Sequence, residues 1–346
     1  MPVSIMSTAP GARIPVTVIT GFLGSGKTTL IKSILGEAHG LKIAVIENEL
    51  AEADIDGAIL LDGGDAEIVE LMNGCICCTV RGDLVRILGR LAGERQAREL
   101  AFDHVIIETT GLADPAPVAQ TFFLEPDCMR DYRLDGVITL VDAKHGAATL
   151  TAHREAQAQV GFADRLLLSK TDLASERETQ ILTERLRRMN ARASIARAVS
   201  GHTDVSGLLG LRGFDLDAAA DIEGLPLHAA HGHADRVASF VVRESRPFDL
   251  EKLEGFMGLL IDRYGEDMLR YKGLLNVAGR SERLVFQGVH GLLGCEPGKP
   301  WRPGESRTST LVFIGRSLPR ELFEQGLHAC VEGSGADPAQ VLAAAA

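Results

Sequence analysis

A glycine-rich loop near the start of the chain contains the residue types that bind nucleotide phosphates. The loop reads Gly21-Phe22-Leu23-Gly24-Ser25-Gly26-Lys27-Thr28 and is followed by Thr29. Its glycines let backbone N–H groups face phosphates, Lys27 would reach the β- and γ-phosphates, and Thr28 would bind Mg²⁺. Because an apolar run precedes the loop and a helical pattern follows it, the sequence predicts a Walker A loop. A glycine-rich turn that binds nothing is the less favoured alternative.

A second motif predicts an acidic group beside the same phosphates. Glu108-Thr109-Thr110-Gly111 comes directly after the apolar run Val105–Ile107. Glu108 suits the Walker B role, in which it would hold Mg²⁺ through a water, and Gly111 would offer its N–H to the γ-phosphate. Lys27, Thr28 and Glu108 are therefore the predicted catalytic residues. The alternative for Glu108 is a solvated carboxylate at the end of a strand.

A third motif predicts which base is bound. Ser169-Lys170-Thr171-Asp172 follows the apolar run Leu166–Leu168. A buried Asp172 would accept hydrogen bonds from N1–H and NH₂ of guanine, a donor pair that adenine lacks. Lys170 would lie along the base, while Ser169 stands where this element commonly has Asn. The motif favours GTP and GDP, with an Asp172 that merely caps a helix as the alternative.

Cysteines and carboxylates between the first two motifs predict a transition-metal site. Three of the six cysteines, Cys75, Cys77 and Cys78, lie in one short stretch. Thiolates are soft ligands for Zn²⁺ or Cu(I), and a nearby acidic segment could approach them; it contains Glu47, Glu49 and Glu52. In a reducing cytosol such a cluster favours a metal ligand set or a group of reactive thiols over a structural disulfide. Small buried apolar cysteines are the alternative.

Histidines in the second half of the chain are a weaker metal candidate. His228, His231 and His233 precede Asp235 in a stretch with little periodicity. Zinc binding and a polar linker that happens to contain histidines are equally consistent with this spacing.

Length and composition restrict the class of protein. The chain has 346 residues, 45% of them apolar, and a net charge of −11. It exceeds a usual single domain of about 100 to 200 residues. The acidic balance argues against a nucleic-acid partner, because phosphate backbones are bound by clustered Lys and Arg. No apolar run approaches the roughly 18 residues of a membrane span, and no signal-peptide pattern is present, so we expect a cytoplasmic protein without a membrane partner.

The apolar pattern of the first half predicts an α/β fold with a mostly parallel sheet flanked by helices. The expected strands are Val16–Thr20, Ile43–Ile46, Val105–Ile107, Val137–Val141 and Leu166–Leu168. The expected helices are Thr28–Leu35, Asp83–Leu91, Pro115–Phe123 and Glu176–Met189. Strands that are continuous apolar runs are typical of parallel sheets buried on both faces.

The second half predicts a smaller α+β domain. Its expected strands are Val237–Arg243, Leu284–Gln287 and Thr310–Gly315, and its expected helices are Leu250–Tyr264 and Pro319–Cys330. We therefore expect a nucleotide-binding domain over 13–205, a linker with the histidines over 206–235, a second domain over 236–332 and a flexible tail over 333–346.

The motifs together resemble the CobW-type P-loop GTPases, over nearly the whole chain. The resemblance also includes Glu47-Asn48-Glu49, Arg270-Tyr271-Lys272-Gly273 and Phe286-Gln287-Gly288-Val289. It implies slow GTP hydrolysis, binding of zinc or another divalent transition metal, and delivery of metal to a client protein. By motif position it implies that Cys77, Glu47 and Glu52 form a metal site near the nucleotide. Leu50-Ala51 stands where the family often has Phe-Gly.

We therefore expect a slow GTPase that uses Mg²⁺ and couples nucleotide state to zinc binding and transfer. The ordering of the segment from Glu47 to Cys78 by GTP would change the affinity for metal. Two alternatives stay open at this point. One is a zinc buffer or sensor without a client, and the other is a GTP-switched interaction protein whose cysteines only pack.

Overall fold

The computed structural model describes residues 13–37, 40–47, 68–70, 76–198, 207–214 and 235–344. Side chains are described for all of these except 68–70 and 76–81. Contacts divide the chain into two compact units. The described residues of 9–183 and 193–213 form the first unit, and those of 184–192 and 214–346 form the second. None of the described helices is long and apolar enough to cross a membrane.

The first unit contains a seven-stranded parallel sheet. Its strands are β1 (Ile14–Gly21), β2 (Ile43–Glu47), β3 (Ile68–Glu70), β4 (His104–Glu108), β5 (Tyr132–Asp142), β6 (Arg165–Ser169) and β7 (Ser194–Ala198). The order across the sheet is β3-β2-β4-β1-β5-β6-β7, and every neighbouring pair is parallel. All carboxyl ends therefore lie at one edge, where the predicted motifs begin. The expected α/β fold is confirmed.

Helices in the first unit cover the apolar strands. They are α1 (Lys27–Gly36), α2 (Ile76–Gln96), α3 (Ala116–Leu124), α4 (Pro126–Asp131), α5 (Gly146–Ala152), α6 (Arg154–Phe162) and the first part of α7 (Glu176–Met189), whose residues 184–189 belong to the second unit. Helix α1 buries Leu30, Ile31 and Ile34 in one apolar cluster with Ile138 and Leu140 of β5. This packing fixes α1 directly after the glycine-rich loop.

The second unit is a five-stranded antiparallel sheet with helices, as expected for a small α+β unit. Its strands are β8 (Val237–Glu244), β9 (Met268–Leu275), β10 (Glu282–Val289), β11 (Leu292–Pro300) and β12 (Ser309–Arg316), in the order β11-β10-β9-β12-β8. Its helices are α8 (Leu250–Tyr264), α9 (Arg320–Ala329) and α10 (Pro338–Ala344).

Two glycines of the C-terminal sequence signature make room for aromatic rings. A Cβ atom at Gly273 would collide with the ring of Phe286, and one at Gly288 would collide with the ring of Tyr271. The two rings lie tilted at 5.9 Å between centroids. The signature therefore has a packing role in this unit. Trp301 is also buried in this unit.

The tail corrects the expectation of a flexible segment over 333–346. Residues Pro338–Ala344 form α10, and Leu342 is buried in the apolar cluster of the second unit. The guanidinium of Arg263 donates to the carbonyl oxygen of Leu342 at 3.0 Å. Small residues misled the expectation, because alanines are strong helix formers once an apolar side chain anchors the helix.

Candidate functional site: a nucleotide pocket at the carboxyl edge of the sheet

The glycine-rich loop adopts a backbone that only glycine tolerates well. Gly21, Gly24 and Gly26 have φ angles of 143°, 70° and 99°. A Cβ at Gly21 would also lie 2.7 Å from the Ser25 hydroxyl oxygen and 2.5 Å from the carbonyl oxygen of Leu140. These positions turn the chain sharply between β1 and α1. The predicted loop is therefore present between the expected strand and helix.

The first turn of α1 is suited to an anion. Its N-cap is Gly26, which provides no side-chain cap, and no acidic residue lies in the first turn. Uncapped N–H groups and the positive end of the helix dipole both favour phosphate at this position. The buried Ser25 hydroxyl has no hydrogen-bond partner among the described residues and lies in the same loop.

Lys27 is a buried cation at the start of α1. It is 8% exposed, and its ammonium group donates to the carbonyl oxygen of Gly21 at 3.0 Å. Burial lowers the pKa of Lys27, while the nearby Glu108 carboxylate partly opposes that shift. A buried ammonium with few partners gains from a phosphate, because the anion replaces the hydration that the cation has lost.

Glu108 is placed beside the loop, as the sequence predicted. It is the last residue of β4 and is 9% exposed. The Thr28 hydroxyl donates to Glu108 Oε1 over 3.4 Å. A hydroxyl and a carboxylate are hard oxygen ligands of the kind that Mg²⁺ prefers, so the pair fits that ion. Thr29 follows on α1 and is exposed.

The residues after Glu108 are attached to the loop and to the sheet. Thr109 donates through its N–H to the carbonyl oxygen of Ile19 at 3.0 Å and through its hydroxyl to Thr20 at 2.7 Å. Gly111 lies against the glycine-rich loop, because a Cβ there would be 2.7 Å from the backbone nitrogen of Leu23. Only glycine fits this close approach without displacing the Leu23 backbone.

A residue that the sequence analysis missed holds this segment. The Gln159 side-chain amide on α6 donates to the carbonyl oxygens of Gly111 at 3.1 Å and Ala113 at 3.0 Å. Gln159 is 1% exposed. The only signal available in the sequence was a polar amide on a helix, which does not reveal a partner 48 residues away.

The predicted base-binding loop is attached to the phosphate loop. The Ser169 hydroxyl donates to the carbonyl oxygen of Ser25 at 2.7 Å. Lys170 has a left-handed backbone, with φ of 55°, and its ammonium group pairs with Asp142 Oδ2 at 2.7 Å. Asp142, a second residue that the sequence analysis missed, also accepts backbone N–H groups at Lys144 and His145. The pKa of Asp142 is lowered: burial raises it, but these hydrogen bonds outweigh that effect.

Asp172 differs from the expectation in one respect. Its side chain is exposed rather than buried. It is not the cap of α7, because Ser175 and Glu178 cap that helix reciprocally. The N–H of Glu178 donates to Ser175 Oγ at 3.2 Å, and the N–H of Ser175 donates to Glu178 Oε2 at 2.8 Å. The capping alternative for Asp172 is therefore wrong.

Most of the predicted metal ligands lie outside the described part of the chain. This holds for Glu49, Glu52, Cys75 and the three histidines, His228, His231 and His233. Cys77 and Cys78 lie in the first turn of α2, where side chains are not described. Among the residues with described side chains, no group of three or more His, Cys, Asp or Glu could hold a metal.

Among the predicted transition-metal ligands, Glu47 is the one with a described side chain. It is the last residue of β2, and β2 lies next to β4 in the sheet. Ile46 pairs with Ile107, so Glu47 and Glu108 follow at the same level of the sheet. The segment that contains the other ligands therefore starts one strand away from the predicted Mg²⁺ carboxylate.

A parallel sheet with a glycine-rich loop, a buried lysine and a strand-end carboxylate defines a P-loop nucleotide-binding protein. Residues 15–197 match the CobW/HypB/UreG nucleotide-binding domain, and residues 237–331 match the cobalamin synthesis protein cobW C-terminal domain. The chain belongs to the CobW family, as the resemblance of its motifs indicated.

Similar proteins cover nearly the whole chain. Zinc chaperone YjiA of Escherichia coli strain K12 is 42% identical over 308 residues, which are 89% of this chain and 96% of YjiA. Zinc chaperone CobW of Pseudomonas aeruginosa is 34% identical over 343 residues, covering 89% of this chain and 88% of that protein. The crystal structure of Zn(II)-bound YjiA GTPase from E. coli matches with a TM-score of 0.78 and 36% identity, over 93% of this chain and 100% of that one.

Proposed function

We propose that this protein is a GTP-hydrolysing zinc chaperone, which couples GTP binding and hydrolysis to zinc binding and transfer to a client protein. The observation that carries the proposal is the contact between Thr28 and Glu108, because it joins the two nucleotide motifs into one site. The names of YjiA and P. aeruginosa CobW support zinc as the cargo. Client transfer and a cytoplasmic location are part of the proposal.

The residues of the loop would bind and orient the triphosphate. The glycine backbone and the first turn of α1 would present N–H groups to the phosphate oxygens. Lys27 would leave the carbonyl oxygen of Gly21 and place its ammonium group at the β- and γ-phosphates. Phosphoryl transfer depends mostly on positioning and on charge stabilisation, so these groups supply the main catalytic contribution.

Thr28 and Glu108 would hold Mg²⁺, Thr28 directly and Glu108 through a water. The ion would neutralise charge that develops on the phosphate oxygens. Gly111 would donate its N–H to the γ-phosphate, and this contact would be lost with hydrolysis. Because no arginine or glutamine is assigned to the attacking water, we expect slow turnover that a partner can stimulate.

The base-binding loop would select guanine. Asp172 would accept hydrogen bonds from N1–H and NH₂ of the base. Its side chain is exposed in the structure, so the bound base would be what buries it. Lys170 would lie along the ring while Asp142 holds its ammonium group. The Ser169 hydroxyl already attaches this loop to the phosphate loop. Guanine and phosphate recognition would therefore act on one rigid unit.

Zinc would be bound as cargo by Cys77 with Glu47 and Glu52, and with Cys75 and Cys78 as further thiolate ligands. Thiolates and carboxylates together suit zinc. The proposed ligands lie between Glu47 on β2 and the first turn of α2, and this stretch starts beside Glu108. If GTP changes the affinity for zinc, zinc must change the affinity for GTP by the same factor.

Zinc affinity in two nucleotide states tests the proposal. The protein would compete with a chromogenic chelator for zinc in the presence of Mg²⁺ and either GDP or a non-hydrolysable GTP analogue. We expect different affinities in the two states and loss of that difference in Cys77→Ser. Cys128→Ser is the matched control, because Cys128 is a buried cysteine on α4, outside the cysteine cluster.

The other outcomes separate the alternatives. Equal zinc affinities with GDP and the GTP analogue would indicate a zinc buffer or sensor instead of a nucleotide-gated chaperone. No zinc binding at all would leave a GTPase whose cysteines only pack. A Cys77→Ser variant that keeps the full zinc stoichiometry would contradict the assigned ligand set.

A further inference from the structure

We infer that Gln159 is a positioning residue of the nucleotide site, which holds the segment after β4 so that the Gly111 N–H meets the γ-phosphate. This inference rests on the proposed GTPase function. Gln159 does not touch the proposed reacting atoms. It acts through the backbone of Gly111 and Ala113, whose carbonyl oxygens accept its two amide hydrogen bonds at 3.1 and 3.0 Å.

The backbone of Gln159 is itself fixed to the sheet. The Thr139 hydroxyl on β5 donates to the carbonyl oxygen of Gln159 at 2.8 Å, and both residues are almost fully buried. The side chain of Gln159 therefore extends from a rigid support. An amide on a fixed backbone, held by two hydrogen bonds, restricts the position of the carbonyl groups that it contacts.

The segment after β4 has two attachments of different kinds. Thr109 attaches its beginning to β1 through two hydrogen bonds. Gln159 attaches the part that contains Gly111, two residues further on. Gly111 also packs on the Leu23 backbone, so a displacement of Gly111 would change its contact with the glycine-rich loop.

Gln159 also borders an open space beside the segment that it holds. Gln159 lines a cavity of about 340 Å³ that also borders Phe22, Thr139 and His145. Most buried side chains are close-packed and cannot change rotamer without strain. Gln159 borders open space on one side, so its two hydrogen bonds to the carbonyl oxygens of Gly111 and Ala113, and not close packing on every side, hold its amide.

The chain offers a matched control on the same helix. Gln157 is 4% exposed, and its side-chain amide donates to the carbonyl oxygen of Leu150 at 2.7 Å. Gln157→Glu and Gln159→Glu each replace a buried amide donor with a carboxylate that faces a carbonyl oxygen. Their structural costs should be similar, but only Gln159 contacts the segment that contains Gly111.

The test measures the affinities of wild type, Gln159→Glu and Gln157→Glu for GDP and for a non-hydrolysable GTP analogue, by fluorescent-nucleotide titration with Mg²⁺. We expect Gln159→Glu to weaken binding of the GTP analogue on the order of tenfold and of GDP less than about twofold. Its kcat should fall as well. Gln157→Glu should keep the wild-type ratio of the two affinities.

A second variant keeps the test decisive if the buried carboxylate prevents folding. Gln159→Leu removes the donor without adding charge, and circular dichroism would verify its fold. It should shift the same ratio in the same direction. An unchanged ratio in folded Gln159 variants of a protein that hydrolyses GTP would overturn this inference alone. A wild type that neither binds nor hydrolyses GTP would instead overturn the proposed function.

Discussion

The Ser169 hydroxyl and the Ser25 carbonyl oxygen form a buried hydrogen bond of 2.7 Å between the two loops of the nucleotide pocket. Ser25 belongs to the phosphate loop and Ser169 ends β6, so the bond crosses β5, the strand that lies between them. Serine thus makes a connection to the phosphate loop at a position where Asn is common. The Ser169 hydroxyl is therefore hydrogen-bonded within the nucleotide pocket.

We predict that Ser169→Ala weakens GDP and GTP binding to a similar extent, by roughly fivefold, because a typical hydrogen bond contributes about 1 kcal/mol. Both nucleotides should be affected, since both use the base loop and the phosphate loop. Titration with fluorescent GDP and GTP analogues would measure the change. Ser194→Ala, which removes an exposed hydroxyl near Arg165, is the control and should bind normally. Selective loss of GTP alone would contradict the predicted role.

We predict that Lys27→Met abolishes GTP hydrolysis but does not lower the melting temperature of the nucleotide-free protein. Burial lowers the pKa of Lys27, which shows that the folded protein disfavours this charge. Methionine has an unbranched side chain of similar length without the charge, so the nucleotide-free variant should be at least as stable as wild type. Phosphate release and differential scanning calorimetry are the measurements.

The control for Lys27→Met is Lys32→Met, on the exposed side of α1. It should keep wild-type hydrolysis. Full hydrolysis by Lys27→Met would exclude every version of the proposed enzyme, and a large loss of stability would show that the Lys27 hydrogen bond to Gly21 outweighs the cost of burying the charge.

We predict that Asp172→Asn changes base preference from guanine toward xanthine. An amide can accept from N1–H and donate to the C2 oxygen of xanthine, whereas it cannot accept both guanine donors. We expect GTP affinity to fall roughly 10- to 100-fold. Competition by GTP, XTP and ATP against a fluorescent nucleotide would measure this. Asp127→Asn on α4 is an exposed control, and an unchanged preference in Asp172→Asn would remove Asp172 from base recognition.

We predict that Glu244→Gln reduces the acid dependence of stability in the second unit. Hydrogen bonds from Arg246, and a smaller one from His328, lower the pKa of Glu244 to about 2 against its ordinary value of 4.5. A lowered carboxyl pKa stabilises the fold above the ordinary value, and this contribution is lost as pH falls from 4.5 toward 2. Urea unfolding of both proteins across this range would measure it.

Wild type and Glu244→Gln should therefore differ most at neutral pH and converge near pH 2. Glu176→Gln is the control. Its pKa is also lowered, by Arg197, but the pair is exposed and screened by solvent, so we expect a smaller effect. A constant difference between wild type and Glu244→Gln at every pH would indicate a packing effect instead.

The five inner strands of the parallel sheet could be predicted from sequence because they are buried on both faces. Val16–Thr20 lies within β1, and Val137–Val141 lies within β5. Two edge strands, β7 and β11, were missed because they lack a continuous apolar run. β7 is short and half exposed, and β11 contains Gly and Pro, which usually indicate loops. Local pattern reveals burial and does not reveal pairing with a neighbour.

The nucleotide motifs could be predicted because their function depends on local backbone and fixed spacing. Gln159 and Asp142 could not, because their partners are distant in sequence and neither belongs to a spaced motif. Gln159 donates to backbone carbonyl oxygens. Because every residue has a backbone carbonyl, the side-chain types in the sequence do not indicate which residue accepts the hydrogen bond. The α5–α6 region was missed for a related reason, since its Ala, Thr and Gln residues show little apolar periodicity.

The last helix, α10, packs on the outside of the second unit and is attached to it near the carboxyl end of the helix. Leu342 packs among the apolar residues of that unit, and the guanidinium of Arg263 on α8 donates a hydrogen bond to the Leu342 carbonyl oxygen. A chain that ends at Glu332 would lack this helix, and apolar surface on α8 and α9 would become exposed to solvent. A protein truncated to remove this alanine-rich end would therefore be prone to aggregation. The protein with its last helix intact is the better one to crystallise.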